Sequence, residues 1–558
     1  MYRMQRKVLL YAAFGILFFA LFLQWVRLPV SQGDMWMSPD ETAVATSAAT
    51  FVANRSFLFP VILSDRFAWV HPRSFVYLPA NKMLAPVGFL GLPALLSLPY
   101  KAFGVLGMNL FTPVLVLLTL FAIWRILPQR WSKAAKVLTL VMWATFPTVV
   151  LYANRGLFAQ LPVACLAIWG WWGMATSVGG RRSEVGRQRT INALKVFLAG
   201  LAFGLAAVIR PTELPWLLPV LAFALLWRNS KLNPDANNLE RAKLAWWQWS
   251  AFVMPCFVIL ALGAWFGYDT YGKWWVSGYQ IRPQAVAVAG DATTTIMNTD
   301  IVSVFQTLPF AFHPRIIWWN LSHYHGTIMW PWLLATAGTL VLLGYGFFLK
   351  SKTWDRATRW RGLLRWDIFA LIWPAFWTVA FYGNGLYQDN IRLGEVTLGN
   401  SFLRYTLPAT LALVVASGYV IQRMWAHWSL KILAVCLAMA LASVGLWTAL
   451  SRDAEGVLAN VEEIARYHGL RELAKDDFDE NGVIVSERSD KVFFPSRLSV
   501  SPMPTDDQIH DLLVNGHPVG ALMTTQDQDG QFNWLLRGFV ITPMHQVGNQ
   551  TLYDVKAY

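Results

Sequence analysis

The sequence predicts a polytopic α-helical membrane protein with a small α/β domain at its C-terminus. Three observations lead to this prediction. Of the 558 residues, 56% are hydrophobic and only 14% are charged, whereas about a quarter are charged in an ordinary soluble domain. Eleven apolar runs alternate with polar segments, and the composition changes after residue 450. A soluble globular protein and a disordered chain are both excluded.

The eleven apolar runs are the candidate membrane spans, because about 20 apolar residues are needed to cross a bilayer. Four of the runs are only 14 or 15 residues long, so their ends are approximate. The runs lie at residues 8–26, 108–124, 137–151, 158–175, 196–209, 214–227, 249–266, 329–349, 368–382, 405–421 and 430–450. Residues 84–105 are also apolar but contain three prolines. We therefore predict that they form an interfacial or re-entrant helix.

The distribution of basic residues predicts the orientation of the chain. Lys and Arg concentrate in cytoplasmic loops, and a cytoplasmic N-terminus places six basic loops on that side. The loops 27–107 and 267–328 and the domain 451–558 then lie on the outer face. Residues 1–450 carry 37 bases and 15 acids. This excess is explained by cytoplasmic anchoring rather than by nucleic-acid binding, and we place the protein in a bacterial inner or plasma membrane.

Residues 451–558 have the composition of a water-exposed domain, with 9 bases and 17 acids. An amphipathic stretch around Val457, Ile464 and Leu470 is followed by alternating segments. These are GVIVS at 482, KVFFP at 491, DQIHDLLVNG at 507, VGALMTT at 519, and FVITP and TLYDV near the end. The pattern predicts a small extracytoplasmic α/β domain, separate from a transmembrane domain formed by residues 1–450.

The first outer loop contains the sharpest local feature. Pro39 precedes the acidic pair Asp40 and Glu41, and a stretch of small residues at 42–52 is typical of a helix. One interpretation is that Asp40 caps this helix. The other is that Asp40 is a general base just outside the membrane.

Several segments of the chain resemble segments of the GT-C glycosyltransferases, and they occur in the same order along the sequence. These are polytopic enzymes that use lipid-phosphate-linked sugars. The chain is most similar to the branch containing protein O-mannosyltransferases and lipid A aminoarabinose transferases. The matching segments are SPDETAVATSAATFVANRSF at 38–57, APVGFLGLPALLSLPYKAFG at 85–104, YANRGLF at 152–158, IRPTELPWLLP at 209–219, YDTYGKWWVSGY at 268–279, SFLRYTLPATLAL at 401–413 and VIVSERSDKVFFP at 483–495. The chain departs from the family at Lys273 and Trp274, where small residues are commoner.

The resemblance implies an inverting transfer of a sugar from a polyprenyl-phosphate donor to a hydroxyl group of a glycan, lipid or protein acceptor. It implies Asp40 as the catalytic base and Glu41 as a neighbour that binds the acceptor or orients the site. Lys82, Arg155, Arg404 and Lys273 are the candidate contacts to the donor phosphate, because cations neutralise the departing group. No cofactor or bound metal is expected, although a weak divalent site at Asp34 and Asp65 stays open.

Two other functions stay open at this stage. The many spans are also compatible with a transporter or flippase of lipid-linked saccharides, but such proteins place ionisable residues within their spans. The spans here are nearly free of them. A non-catalytic protein of envelope-glycan assembly is the third interpretation. The sugar and the acceptor are not predicted, and membrane lipids are the remaining expected partners.

Overall fold

The computed structural model is mostly helical. It describes residues 15–60, 63, 65–177, 186–232, 246–281, 313–350, 366–385, 387, 396–451, 455–478, 481–524, 534 and 537–558. The longer helices are α1 Gly15–Trp25, α2 Pro39–Asn54, α3 Gly91–Ile126, α4 Lys133–Ala144, α5 Pro147–Asn154, α6 Gln160–Thr176, α7 Gly186–Ile209, α8 Leu214–Leu232, α9 Trp246–Tyr271, α10 Trp330–Lys350, α11 Trp366–Tyr382, α12 Thr410–Trp425, α13 Lys431–Leu450, α14 Val457–Asp477 and α15 Asp506–Val514.

Short helical segments connect several of these helices. Those with α geometry are Arg27–Ser31, Gly278–Ile281, Pro314–Asn320, Gly326–Ile328, Ser401–Tyr405 and Asp490–Phe493. Turns of 3-10 helix lie at Asp65–Phe67, Pro211–Glu213, Leu407–Ala409 and Trp428–Leu430. Leu321–His325 forms one turn of π-helix.

Among the described residues, five helical stretches are long and apolar enough to cross a membrane. They are Gly91–Ile126, Thr190–Ile209, Trp249–Tyr271, Leu407–Trp425 and Trp428–Leu450. Two bent helix pairs raise the number to as many as seven. The chain is therefore an integral membrane protein, as predicted. The described part of each of the eleven apolar runs overlaps a helix or a helix pair, but the count of eleven spans stays a prediction. Residues 1–14, on which the predicted cytoplasmic N-terminus depends, lie outside the described residues.

Two of the predicted elements have different boundaries in the structure because of proline and glycine. The run at 137–151 is a pair of helices, α4 and α5, bent by 54°. Pro147 begins α5, where its missing N–H costs no helical hydrogen bond. The proline-containing segment begins with a strand and then joins the following span in α3, which breaks at Gly104 with φ 63°. Such a backbone conformation favours glycine.

The chain divides into two compact units that are not contiguous in sequence. The helical unit comprises Met1–Arg27, Thr112–Leu262 and Ala287–Val457. The mixed unit comprises Leu28–Phe111, Gly263–Val286 and Leu458–Tyr558. Most of residues 27–107, the predicted first outer loop, thus belongs to one unit with the C-terminal residues.

The mixed unit contains two β-sheets. A three-stranded antiparallel sheet has the order β1 Phe59–Pro60, β3 Met83–Pro86, β2 Phe75–Leu78, and was not predicted. The five-stranded sheet has the order β5 Leu498–Val500, β4 Val483–Ser486, β6 Val519–Thr524, β8 Gln550–Ala557, β7 Phe539–Val547. Strand β4 is parallel to β5 and β6, and the other pairs are antiparallel.

The five-stranded sheet and its helices confirm the small C-terminal α/β region. Apolar residues of β4, β6 and α15 form its core, among them Val483, Val485, Ile509 and Leu512. Two of the segments given as alternating in the sequence are helical instead. The first residues of KVFFP belong to the short helix Asp490–Phe493, and DQIHDLLVNG falls on α15.

Candidate active site

Asp40 lies in the first turn of α2, and the local sequence explains why the helix begins there. Ser38 has an extended backbone, with φ −130° and ψ 144°, and its side chain accepts a hydrogen bond from the Asp40 N–H at 3.3 Å. Pro39 occupies the first helical position, which suits its fixed φ. Ser38 is therefore the cap, and the capping role considered for Asp40 is wrong.

The Asp40 carboxylate is held from a second segment of the mixed unit. The Ser74 hydroxyl donates a hydrogen bond to Asp40 Oδ1 at 2.8 Å. The residue is exposed, so an acceptor hydroxyl has access to it. Glu41 differs from its neighbour because only 2% of its surface is exposed.

Lys82 lies at the turn between β2 and β3, in a left-handed backbone conformation with φ 54°. Its ammonium pairs with Asp65 Oδ2 at 2.8 Å, and Tyr77 donates to Asp65 Oδ1 at 2.5 Å. These hydrogen bonds, that of Lys82 first, lower the pKa of Asp65. An ammonium has three N–H donors, so Lys82 keeps donors for a phosphate. Ser74 precedes β2 and lies at the opposite end of this hairpin.

The two carboxylates considered for a weak metal site each have a cation as partner. Asp34 Oδ2 accepts a hydrogen bond from Arg471 at 3.0 Å, and Asp65 pairs with Lys82. Within the described residues, no group of three or more His, Cys, Asp and Glu side chains is arranged to hold a metal ion. These contacts give the two carboxylates a structural role.

The helical unit brings Arg155 and Arg404 to one aromatic ring. The guanidinium carbons lie 4.8 Å and 4.2 Å from the centroid of the Phe158 ring. Both arginines are less than 10% exposed. Arg404 also donates to the Ser401 hydroxyl at 2.8 Å. Stacking on the ring orients a planar guanidinium.

Lys273 belongs to the mixed unit and follows the end of α9. It is exposed, in a turn where Gly272 has φ 70° and Trp275 has φ 59°. The adjacent Trp274 stacks on Tyr268 with ring centroids 4.7 Å apart. The structure thus places the predicted residues in two sets, with Asp40, Glu41, Lys82 and Lys273 in the mixed unit and Arg155 and Arg404 in the helical unit.

Comparison with known proteins bears on the fold. No family model matches the chain, and no curated protein matches it. The crystal structure of ArnT from Cupriavidus metallidurans bound to undecaprenyl phosphate matches with a TM-score of 0.52 and 14% identity, over 97% of this chain and 98% of that one. The chain therefore has the GT-C fold. The predicted fold class is confirmed.

Two further structures resemble this GT-C fold at lower scores. ArnT from the same organism in the apo state has a TM-score of 0.47 and 13% identity, over 99% of this chain and 98% of that one. The Archaeoglobus fulgidus oligosaccharyltransferase, in complex with Zn and sulfate, has a TM-score of 0.45 and 11% identity. It matches over 92% of this chain and 68% of its own.

Several polar contacts of this GT-C fold are not apparent from the sequence. In the helical unit, Arg210 Nε donates to Glu213 Oε1 at 2.7 Å, and the Tyr382 hydroxyl donates to the same oxygen at 2.7 Å. In the mixed unit, Ser74 holds Asp40. The spacing of Arg210 and Glu213 is a local signal for an ion pair. Tyr382 and Ser74 have no such signal, because each is distant in sequence from its partner.

Proposed function

We propose that this protein is an inverting membrane glycosyltransferase. It moves a sugar from a polyprenyl-phosphate-linked donor to a hydroxyl acceptor on the outer face of the membrane. The observation that carries the proposal is the exposed Asp40 carboxylate, oriented by Ser74 in the first turn of α2, in a chain with the GT-C fold. The ArnT structure, which holds undecaprenyl phosphate, supports a polyprenyl-phosphate donor.

In the proposed reaction, the acceptor oxygen attacks the anomeric carbon from the face opposite the phosphate, which inverts that centre. Asp40 takes the proton of the acceptor hydroxyl as the new carbon–oxygen bond forms. The bond between the anomeric carbon and the phosphate oxygen breaks, and its electrons leave with the polyprenyl phosphate. Positive charge develops on the sugar ring in the transition state, so a nearby carboxylate also stabilises it.

The leaving phosphate gains negative charge and needs cations. We assign this role to Arg155 and Arg404, whose guanidinium groups share the Phe158 ring, and to Lys82 and Lys273. Guanidinium groups donate paired hydrogen bonds to phosphate oxygens. Glu41 is buried beside Asp40, so orienting the first turn of α2 suits it better than direct binding of the acceptor.

The test is transfer of a labelled sugar from a polyprenyl-phosphate donor by the purified full-length protein in proteoliposomes. Removing the base, as in Asp40→Asn, should lower kcat by about 10² to 10⁴-fold, the range of general-base catalysis. Glycosidic-bond formation is measured directly. Movement of the donor across the vesicle without bond formation would instead support a flippase.

The chain offers a matched control at Asp507. Thr505 caps α15, and Asp507 is exposed at the second helical position, as Asp40 is in α2. Asp507→Asn therefore makes the same change to a helix N-terminus, outside the proposed site, and should keep the activity of the wild type. Full activity in Asp40→Asn would exclude Asp40 as the base.

A further inference from the structure

We propose that Asp490 and Lys491 are positioning residues for Asp40, so that the C-terminal α/β region sets the geometry of residues 27–107, which we call the catalytic loop. The inference rests on the proposed function, in which Asp40 is the base. The two residues are neighbours on the short helix Asp490–Phe493, and they hold the polypeptide on two sides of Asp40. All of these residues lie in the mixed unit.

Asp490 holds the segment that contains Ser74. Its side chain is completely buried and accepts three hydrogen bonds from Arg73. The Arg73 N–H donates to Oδ2 at 2.8 Å, and Nε and Nη2 donate to Oδ1 at 3.2 and 3.0 Å. The next residue, Ser74, donates to Asp40. Because one of the three bonds comes from the main chain, Asp490 fixes the backbone from which the Ser74 hydroxyl extends.

Lys491 holds the segment that leads into α2. Its ammonium donates to the Met37 carbonyl oxygen at 2.6 Å. Met37 immediately precedes Ser38, the cap of the helix that carries Asp40. A charged donor makes a stronger hydrogen bond to a carbonyl than a neutral one does. Lys491 therefore fixes the start of α2 just before Asp40.

Aromatic packing strengthens the attachment of residues 488–494, which we call the 488–494 segment. The Phe494 ring lies 4.8 Å from that of Phe75 and 5.1 Å from that of Phe59. Phe494 also shares a buried cluster with Ala43 of the first turns of α2. The 488–494 segment thus contacts the catalytic loop through an ion pair, a charged hydrogen bond and apolar surface.

These contacts matter for catalysis because a base acts only within hydrogen-bonding reach of the proton that it removes. Small displacements of a reacting group are costly, since about 1 Å of misplacement lowers a rate by up to about 10²-fold. Asp490 and Lys491 extend from one helical turn, so they set the position of Ser74 and of the start of α2 together.

The test begins with Lys491→Met, which keeps the length of the side chain and removes the ammonium. We expect kcat to fall about tenfold with little change in the donor KM, as for a shift of the catalytic group. Lys491→Arg should restore most of the activity, because its guanidinium still donates to a carbonyl. Lys475→Met is the matched control, since Lys475 pairs with Glu472 on the exposed side of α14 and should have no effect.

A second measurement does not depend on activity. Hydrogen exchange should be faster at the amides of residues 37–43 in Lys491→Met and in Asp490→Asn than in the wild type. Exchange in β6 should be unchanged, which shows that the variants are folded. Unchanged exchange at residues 37–43, or an unchanged kcat in Lys491→Met, would overturn the inference. If the wild type transfers no sugar, the proposed function fails, and the exchange data alone decide whether the 488–494 segment holds the loop.

Discussion

At the residue scale, the suitability of Asp40 as a general base depends on three neighbouring side chains. Ser38 satisfies the helix end that Asp40 would otherwise cap. Ser74 orients one carboxylate oxygen, and the buried Glu41 occupies the other acidic position of the pair. A carboxylate that is exposed and does not cap the helix has the properties that proton transfer requires. The same acidic residue at the cap position would be a structural residue only.

The paired arginines lead to a prediction on the same scale. Arg404→Lys keeps the positive charge but removes the planar group that stacks on Phe158 at 4.2 Å and the paired donors that suit a phosphate. We expect kcat/KM for the polyprenyl-phosphate donor to fall about tenfold or more, since paired charge-assisted hydrogen bonds are strong. Steady-state kinetics with varied donor concentration measures this.

Arg423 provides the comparison for Arg404. It stacks on Tyr419 at 5.3 Å from the ring centroid, in the C-terminal half of α12 and outside the proposed site. Arg423→Lys makes the same chemical change and should leave kcat/KM within about twofold, since isolated surface contacts contribute little. Equal effects of the two substitutions would show that Arg404 has no special role toward the phosphate.

At the scale of elements, the helices of this protein are shaped by close approaches as much as by apolar content. Gly200 and Gly204 of α7 are four residues apart and face α9. A Cβ at Gly200 would lie 2.1 Å from the carbonyl oxygen of Phe252. Small residues at this spacing let helix backbones approach closely in a membrane. Apolar content alone would not have identified this contact.

Gly200→Ala tests this packing. The new methyl group meets backbone rather than a movable side chain, so we expect a loss of about 1–3 kcal/mol, as for other overpacked cores. The thermal unfolding of the purified protein in detergent measures it. Gly338→Ala is the control on α10, where the nearest atom is Val420 Cγ2 at 3.9 Å. Alanine favours helix there, so stability should be equal or higher. A Gly200→Ala protein as stable as the control would contradict the close approach.

At the scale of the whole molecule, charge separates the two parts of the chain. Residues 1–450 carry the excess of bases, and residues 451–558 carry more acids than bases. The GT-C fold and the apolar helices make the chain an integral membrane protein. Its orientation rests on the positive-inside rule, and the proposed outer-face reaction depends on it.

Orientation is tested with single cysteines in a chain whose Cys165, Cys256 and Cys436 are replaced by alanine. A cysteine at the exposed His510 should react with a membrane-impermeant thiol reagent in intact cells. A cysteine at the exposed Gln129, beside the basic cluster of residues 125–136, should react only after the membrane is permeabilised. The reverse pattern would place the C-terminal region in the cytoplasm and contradict transfer on the outer face.

Features that depend on local pattern can be predicted from the sequence alone. Apolar runs identified the helices that are candidates to cross the membrane, because the bilayer requires continuous apolar length. Alternation identified most of the C-terminal strands. The neighbouring Asp40 and Glu41 were visible as a candidate site because the two residues and their helix are contiguous in the chain.

The construction of that site depends on contacts between distant residues, which are visible only in the folded chain. Ser74 is 34 residues from Asp40, Lys491 is 454 residues from Met37, and Arg73 is 417 residues from Asp490. A single sequence has no periodicity or spacing that links residues so far apart. Hydrogen bonds form wherever folding brings a donor to an acceptor, so the partners of the residues around Asp40 are established only when the C-terminal residues fold against them.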